Sequence, residues 1–171
     1  MRHAFIGLCI FTAACSGQPI SPTSPSGVAG VGAQTPASGG APVEVTFTKW
    51  ITAYPAMAGV TSGDVPGTFA GAVLSRDPFD NGTIVQLEAL YGVIADNPEH
   101  SFKAQIAGTL NNRTRKAVLN GTVVEGWLAG AQVQATFDVI VPATGTSCVL
   151  GAPPNSTCFQ GTIRVMPGSA N

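Results

Sequence analysis

The chain has 171 residues, with 8 Lys and Arg against 9 Asp and Glu, a net charge of -1, and only 10% charged residues, where a typical soluble domain carries about a quarter. Its densest basic cluster is Arg113, Arg115 and Lys116, too small a footprint for a phosphate backbone or a polybasic membrane patch, so nucleic acid is excluded as a partner. With 21 Gly and 13 Pro among many Ala, Val and Thr, the composition suits short strands and turns, and an all-β body is predicted.

Met1-Arg2-His3 makes a short basic start, Ala4 to Ala14 an apolar run, and Thr12-Ala13-Ala14 a small-residue approach to Cys15. That pattern predicts a secretion signal over 1–14, because the run is too short to span about 30 Å of hydrocarbon as a helix. A signal ending in small residues directly before a cysteine resembles the lipobox of bacterial lipoproteins, with Thr12 standing where Leu is commonest. The resemblance covers residues 1–15. It implies lipidation of Cys15, anchoring to the membrane through several acyl chains, and a place in the bacterial cell envelope on the periplasmic or outer surface. Cleavage after Ala14 without lipid, giving a secreted protein, is the other reading.

Ser16 to Ala41 holds six Gly, five Ser, four Pro and no charge, so it cannot bury enough apolar area to offset ordering entropy. Residues 15–41 are therefore expected to be a flexible linker, with a mean reach of roughly 25–30 Å for a coil of this length.

From residue 42 to 168 the pattern has period two. Val43, Val45 and Phe47 alternate with polar neighbours, as do Phe102, Ala104 and Ile106, then Val133, Ala135, Phe137 and Val139, then Phe159, Ile163 and Val165. One dry and one wet face per segment predicts half-buried antiparallel strands. Weaker strands are readable near 67–76, 83–94 and 116–124, and the turn signals Asp80-Asn81-Gly82, Asp96-Asn97-Pro98, Asn111-Asn112 and Gly126 to Gly130 connect them as a meander.

Seven strands are visible, and an up-and-down barrel needs an even number. Met57 to Thr61 or Thr146 to Leu150 supplies an eighth. A single small antiparallel β-barrel of about eight strands is expected, because closure removes edges that so few charges could not protect; a β-sandwich is the alternative. The tripeptide Gly-Thr-hydrophobe recurs at Gly67, Gly82, Gly108, Gly121 and Gly161 with irregular spacing, which speaks for shared strand chemistry and against a solenoid.

Cys148 and Cys158 are the body's two cysteines, and the secretion signal predicts an oxidising compartment in which they form a disulfide. A loop this short is worth roughly 2.5–3 kcal/mol on the loop-closure model.

Residues able to carry chemistry are sparse. The body's one histidine, His100, sits in Asp96-Asn97-Pro98-Glu99-His100; it lacks the partners of a zinc set and reads first as part of a solvated turn. Asp77, Asp80 and Asn81 lack the spacing of a calcium loop. Glu88 and Tyr91 lie in Ile84 to Ile94, a segment apolar on both faces. It must be covered twice, by the 53–66 connection or a second subunit, unless Glu88 is a buried acid in a ligand cavity. Trp127, in the apolar turn Gly126-Trp127-Leu128-Ala129-Gly130, is either a plug at one barrel end or an anchor for a partner or sugar. No metal or cofactor is expected. The candidate contact residues are thus Trp127, Glu88, Tyr91 and His100.

Residues Arg115 to Val141 and Cys158 to Ile163 look like uncharacterised bacterial secreted proteins of this build, a resemblance that implies no activity. The leading expectation is a non-enzymatic envelope lipoprotein, a binding or structural module for an apolar small molecule or another envelope protein. The alternative is a small-barrel isomerase or cyclase-like enzyme, which requires a cavity of a few hundred Å³ with a carboxylate inside. An outer-membrane barrel is disfavoured by the Gln, Thr, Lys, Asp and Arg on the outward faces.

Overall fold

Alternation of side chains across the chain resolves into eight strands: β1 (Val43–Ala53), β2 (Ala56–Gly63), β3 (Gly67–Phe79), β4 (Ile84–Ala95), β5 (Phe102–Asn111), β6 (Lys116–Gly126), β7 (Gln132–Ile140) and β8 (Cys158–Met166). This is a computed structural model in which residues 40–168 are described; the expected signal, Cys15 and linker residues 16–39 lie outside them. Each strand pairs antiparallel with the next, and β8 pairs with β1, closing the barrel. The eighth strand is β2, formed where the sequence offered Met57 to Thr61. The 53–66 stretch is therefore part of the wall, and it does not cover β4.

The inward set is the one predicted from alternation: Phe102, Phe137 and Ile163 are all buried, together with Val45, Phe47, Phe69, Ile106, Leu119 and Val133. A side chain every second residue, from eight strands, fills most of a small barrel with packed apolar groups, which supplies the main driving force for the fold. The outward face carries cross-strand ion pairs, Lys103 with Glu125 at 2.8 Å and Lys116 with Asp138 at 2.6 Å. Exposed pairs of this kind add little stability but keep the wall wet.

Gly-Thr-hydrophobe has a geometric cause in this barrel. In four of the five copies the glycine lies within a strand or at its first residue; Gly161 pairs with Phe47 on one side and Phe137 on the other, and a Cβ there would overlap the Thr136 carbonyl oxygen and Phe137. Glycine lets neighbouring strands bend tightly around the interior. The fifth copy, Gly82, belongs to the β3–β4 turn, where Asp80, Asn81 and Gly82 all have positive φ (51°, 53° and 80°), as the Asp-Asn-Gly signal predicts.

Bulges on β3 and β6 shift side chains between faces, and a further register shift lies at Thr52 on β1. On β3, Val73 pairs with Ala89 and Ser75 with Glu88, leaving Leu74 extra; on β6, Val124 is extra between Val123 and Glu125. Both bulged side chains are about half exposed. Past the first bulge the parity of β3 reverses, so that Arg76 comes opposite Leu87 on the inward register.

The two ends of the barrel differ. At the end where β1 begins and β8 finishes, Val65 is buried, and Trp127 and Leu128 pack against the core. Trp127 stacks on His100 of the 3₁₀ turn Pro98–His100, ring centroids 4.4 Å apart, and its backbone N–H donates to the Ser101 carbonyl at 2.8 Å. Trp127 thus sits as a plug, and His100 is half-buried beneath it where a freely solvated turn had been expected. The opposite end has no such lid among the described residues; the β1–β2 turn places Tyr54 there, 64% exposed.

Outside the wall lies a second, small apolar cluster. Trp50, Cys158 and Ile140 face outward side by side through the β1–β8–β7 register, and Ala152, Cys148 and Val149 of the β7–β8 connection pack over them. Cys148 and Cys158 sit at disulfide-bonding distance with Cα atoms 6.4 Å apart, which pins this connection across the outer face as a strap.

Candidate functional site

The open end leads into a cavity of about 140 Å³ lined by residues of all eight strands, among them Ile51, Val73, Leu87, Leu119, Phe137 and Phe159. Its polar exception is Lys49. β1 places Lys49 on the parity of Val45 and Phe47, so its side chain enters the barrel, where it is 3% exposed.

The Lys49 ammonium position is bounded by aromatic rings. Nζ stands 4.0 Å from the Tyr91 ring centroid and 4.8 Å from that of Phe137, with Phe159, Phe69 and Phe47 at 5.4 to 5.7 Å. Lys49 Nζ donates to the Tyr91 hydroxyl, and Met57 Sδ lies 3.5 Å away. No carboxylate comes within ion-pairing distance of Lys49 among the described residues. Five ring faces favour a cation, but they do not replace lost hydration without an anion. Burial therefore pulls the Lys49 amine well below the ordinary lysine value of 10.5. The same burial pushes the Tyr91 phenol up, so Tyr91 keeps its proton across the physiological range.

The chemistry available is that of an amine whose charged form is disfavoured by burial beside a protonated phenol, in an apolar pocket sized for a few heavy atoms. A void near 150 Å³ lined by apolar side chains takes roughly one benzene ring. The amine can donate or accept a hydrogen bond, or act as a nucleophile. Arg76, brought to the inward register by the β3 bulge, lines the rim with Tyr54.

Of the residues singled out from sequence, Tyr91 and Glu88 line the cavity, Glu88 with its carboxylate turned away from it, and His100 and Trp127 are not brought to it. Glu88 belongs to the opposite face of β4: its carboxylate accepts a hydrogen bond from Gln105 Nε2 at 2.7 Å on the exposed wall. It is not a buried acid in the pocket, because alternation along β4 sends Leu87 and Ala89 inward and Glu88 out. The outer face of β4 is left partly bare, with Leu90 half-buried and Ile94 55% exposed, since the residues opposite them on β3 are the small Ala72 and Thr68. His100 and Trp127 close the far end. No group of three or more His, Cys, Asp or Glu is placed to hold a metal ion among the described residues.

Lys49 and Arg76 were missed. The signal for Lys49 was present, because it continues the odd-numbered dry face of β1 between Phe47 and Ile51. Arg76 had no such signal, since the bulge at Leu74 leaves no mark on the alternation.

No helix among the described residues is long and apolar enough to cross a membrane. No protein-family model matches this chain, and neither a curated protein nor a solved structure matches it; the site is therefore read from its own geometry.

Proposed function

We propose that this protein is a lipid-anchored module of the bacterial cell envelope that holds one small, largely apolar molecule in the open half of its barrel. The observation that carries the binding reading is the asymmetry of the interior. One end is plugged by Trp127, Leu128 and Val65, and the other opens on a cavity of about 140 Å³ with Lys49 and Tyr91 as its polar pair. Convergence of one polar pair in an apolar concavity is the usual form of a small-molecule site.

The envelope reading is supported by the signal pattern, Cys15, the uncharged linker and the pairing of Cys148 with Cys158. The binding reading is preferred to the isomerase or cyclase reading on the cavity's size, about 140 Å³, and on the Glu88 carboxylate, which accepts from Gln105.

Titrating the full chain with toluene while recording methyl and aromatic NMR spectra tests the binding. Saturable shifts confined to residues around Phe137, Phe159 and Leu119 are expected; spectra unchanged up to the solubility limit refute it. Mass spectrometry of the mature N-terminus from the native host tests the anchor, and an unmodified Cys15 in membrane-extracted protein refutes that part.

A further inference from the structure

Building on the binding reading, we propose that Lys49 captures small apolar aldehydes as a reversible imine, with Tyr91 handling the proton of the carbonyl oxygen. Three observations meet at one point. The lysine Nζ is buried at a cavity with room for about one six-membered ring. Nζ has no carboxylate partner among the described residues. The hydroxyl of Tyr91, to which Nζ donates, is the one other polar side chain deep in the pocket.

A lysine placed for structure alone is expensive in such a position. A Met or Leu would fill the same space without desolvating an amine, and an anionic ligand would call for a permanently charged guanidinium at the bottom instead of the rim. A neutral amine in an apolar pocket is the arrangement that makes lysine a nucleophile toward carbonyl carbon. Its lone pair forms the C–N bond, and the carbonyl oxygen takes a proton to give a carbinolamine. Loss of that oxygen as water breaks the C–O bond and leaves C=N. Both protons of the water derive from the amine, one of them relayed through the Tyr91 hydroxyl, so amine plus aldehyde gives imine plus water with no oxidant or reductant. An apolar pocket disfavours return of that water, and an aromatic or short aliphatic aldehyde matches the lining.

The chain supplies its own controls, because it has three lysines. Lys103 and Lys116 are exposed and paired with Glu125 and Asp138.

Incubating the full chain with benzaldehyde and cyanoborohydride at pH 7, followed by tryptic mass spectrometry, reads out the site. The expected result is a benzyl group on Lys49, with loss of cleavage before Trp50, at least tenfold above labelling of Lys103 or Lys116. Toluene should suppress labelling of Lys49 alone, and Tyr91→Phe should slow it several-fold. Labelling that spares Lys49, or is equal at all three lysines, overturns the proposal. If toluene binds and Lys49 stays unlabelled, the imine fails and the binding module stands; if toluene does not bind either, both fail.

Discussion

Replacing Lys49 by Met, a side chain of similar length without the amine, should make the protein more stable, although it removes a hydrogen bond. Losing the donor leaves the Tyr91 hydroxyl short of a partner, at a cost of about 1–3 kcal/mol. Burying the neutral amine costs a similar amount, so these two contributions nearly cancel. What remains is the work of holding the amine uncharged. Relative to an unfolded lysine at 10.5, that work is about 1.4 kcal/mol for each pH unit below that value at which the folded amine is neutral, and at pH 7 it cannot exceed about 5 kcal/mol. The expected gain for Lys49→Met is therefore about 1–4 kcal/mol at pH 7, in line with apolar replacement of other buried charges. For a domain of this size each kcal/mol raises Tm by roughly 3–6 °C.

The pH dependence is the sharper signature. A base whose titration point falls on folding binds fewer protons folded than unfolded, so unfolding free energy rises with pH from the lowered Lys49 value up to 10.5. Below that window the penalty is present in full and does not change with pH. Tyr91, raised by burial, acts oppositely: the unfolded phenol ionises first, and stability falls above about pH 10. Urea unfolding of wild type and Lys49→Met from about pH 5 to about pH 11.5 should show the rise in the first and not in the second, with the alkaline fall above about pH 10 in both. An identical slope in both proteins, or a Lys49→Met chain less stable by more than 1 kcal/mol, refutes the account of Lys49 as an uncompensated buried amine.

Thr61 is buried on β2 with its hydroxyl unpartnered; Thr61→Val keeps the shape and should raise unfolding free energy by about 1–3 kcal/mol in urea titrations. Gly161→Ala should cost about 2 kcal/mol or more, because the new methyl meets the Thr136 carbonyl and Phe137; calorimetry showing an unchanged Tm would remove close strand approach as the reason for the Gly-Thr pattern. Replacing both Cys148 and Cys158 by Ser should cost roughly 2.5–3 kcal/mol on the loop-closure model. It should also loosen the strap over Trp50, read as a red shift in tryptophan emission with the barrel's far-ultraviolet spectrum retained.

Much of the barrel was legible because alternation is a local property. Any strand with a wet and a dry face writes its inward set into every second residue, which is why Phe102, Phe137 and Ile163 could be placed before a fold existed. The turn at Asp80-Asn81-Gly82 was equally legible, since positive φ at successive residues restricts residue type. Tyr91 was singled out, but for its place in a strand apolar on both faces and not for the amine it meets.

What alternation cannot carry is what happens at a break in it or across the barrel. The Leu74 bulge inverts the parity of β3 and brings Arg76 to the rim, and the outward Trp50 is covered only by Cys148, Val149 and Ala152 of the β7–β8 connection, far along the chain. Lys49 stood on the dry face in plain view, yet its meaning depends on Tyr91, Phe137 and Phe159 converging from three other strands. The sequence alone determined which side of each regular strand is dry, because that is settled by neighbours two residues apart. Closure of the sheet decided which dry side chains meet, and with them whether the lysine finds water, an anion or an aromatic enclosure, because solvation and pairing are set by atoms distant in the chain.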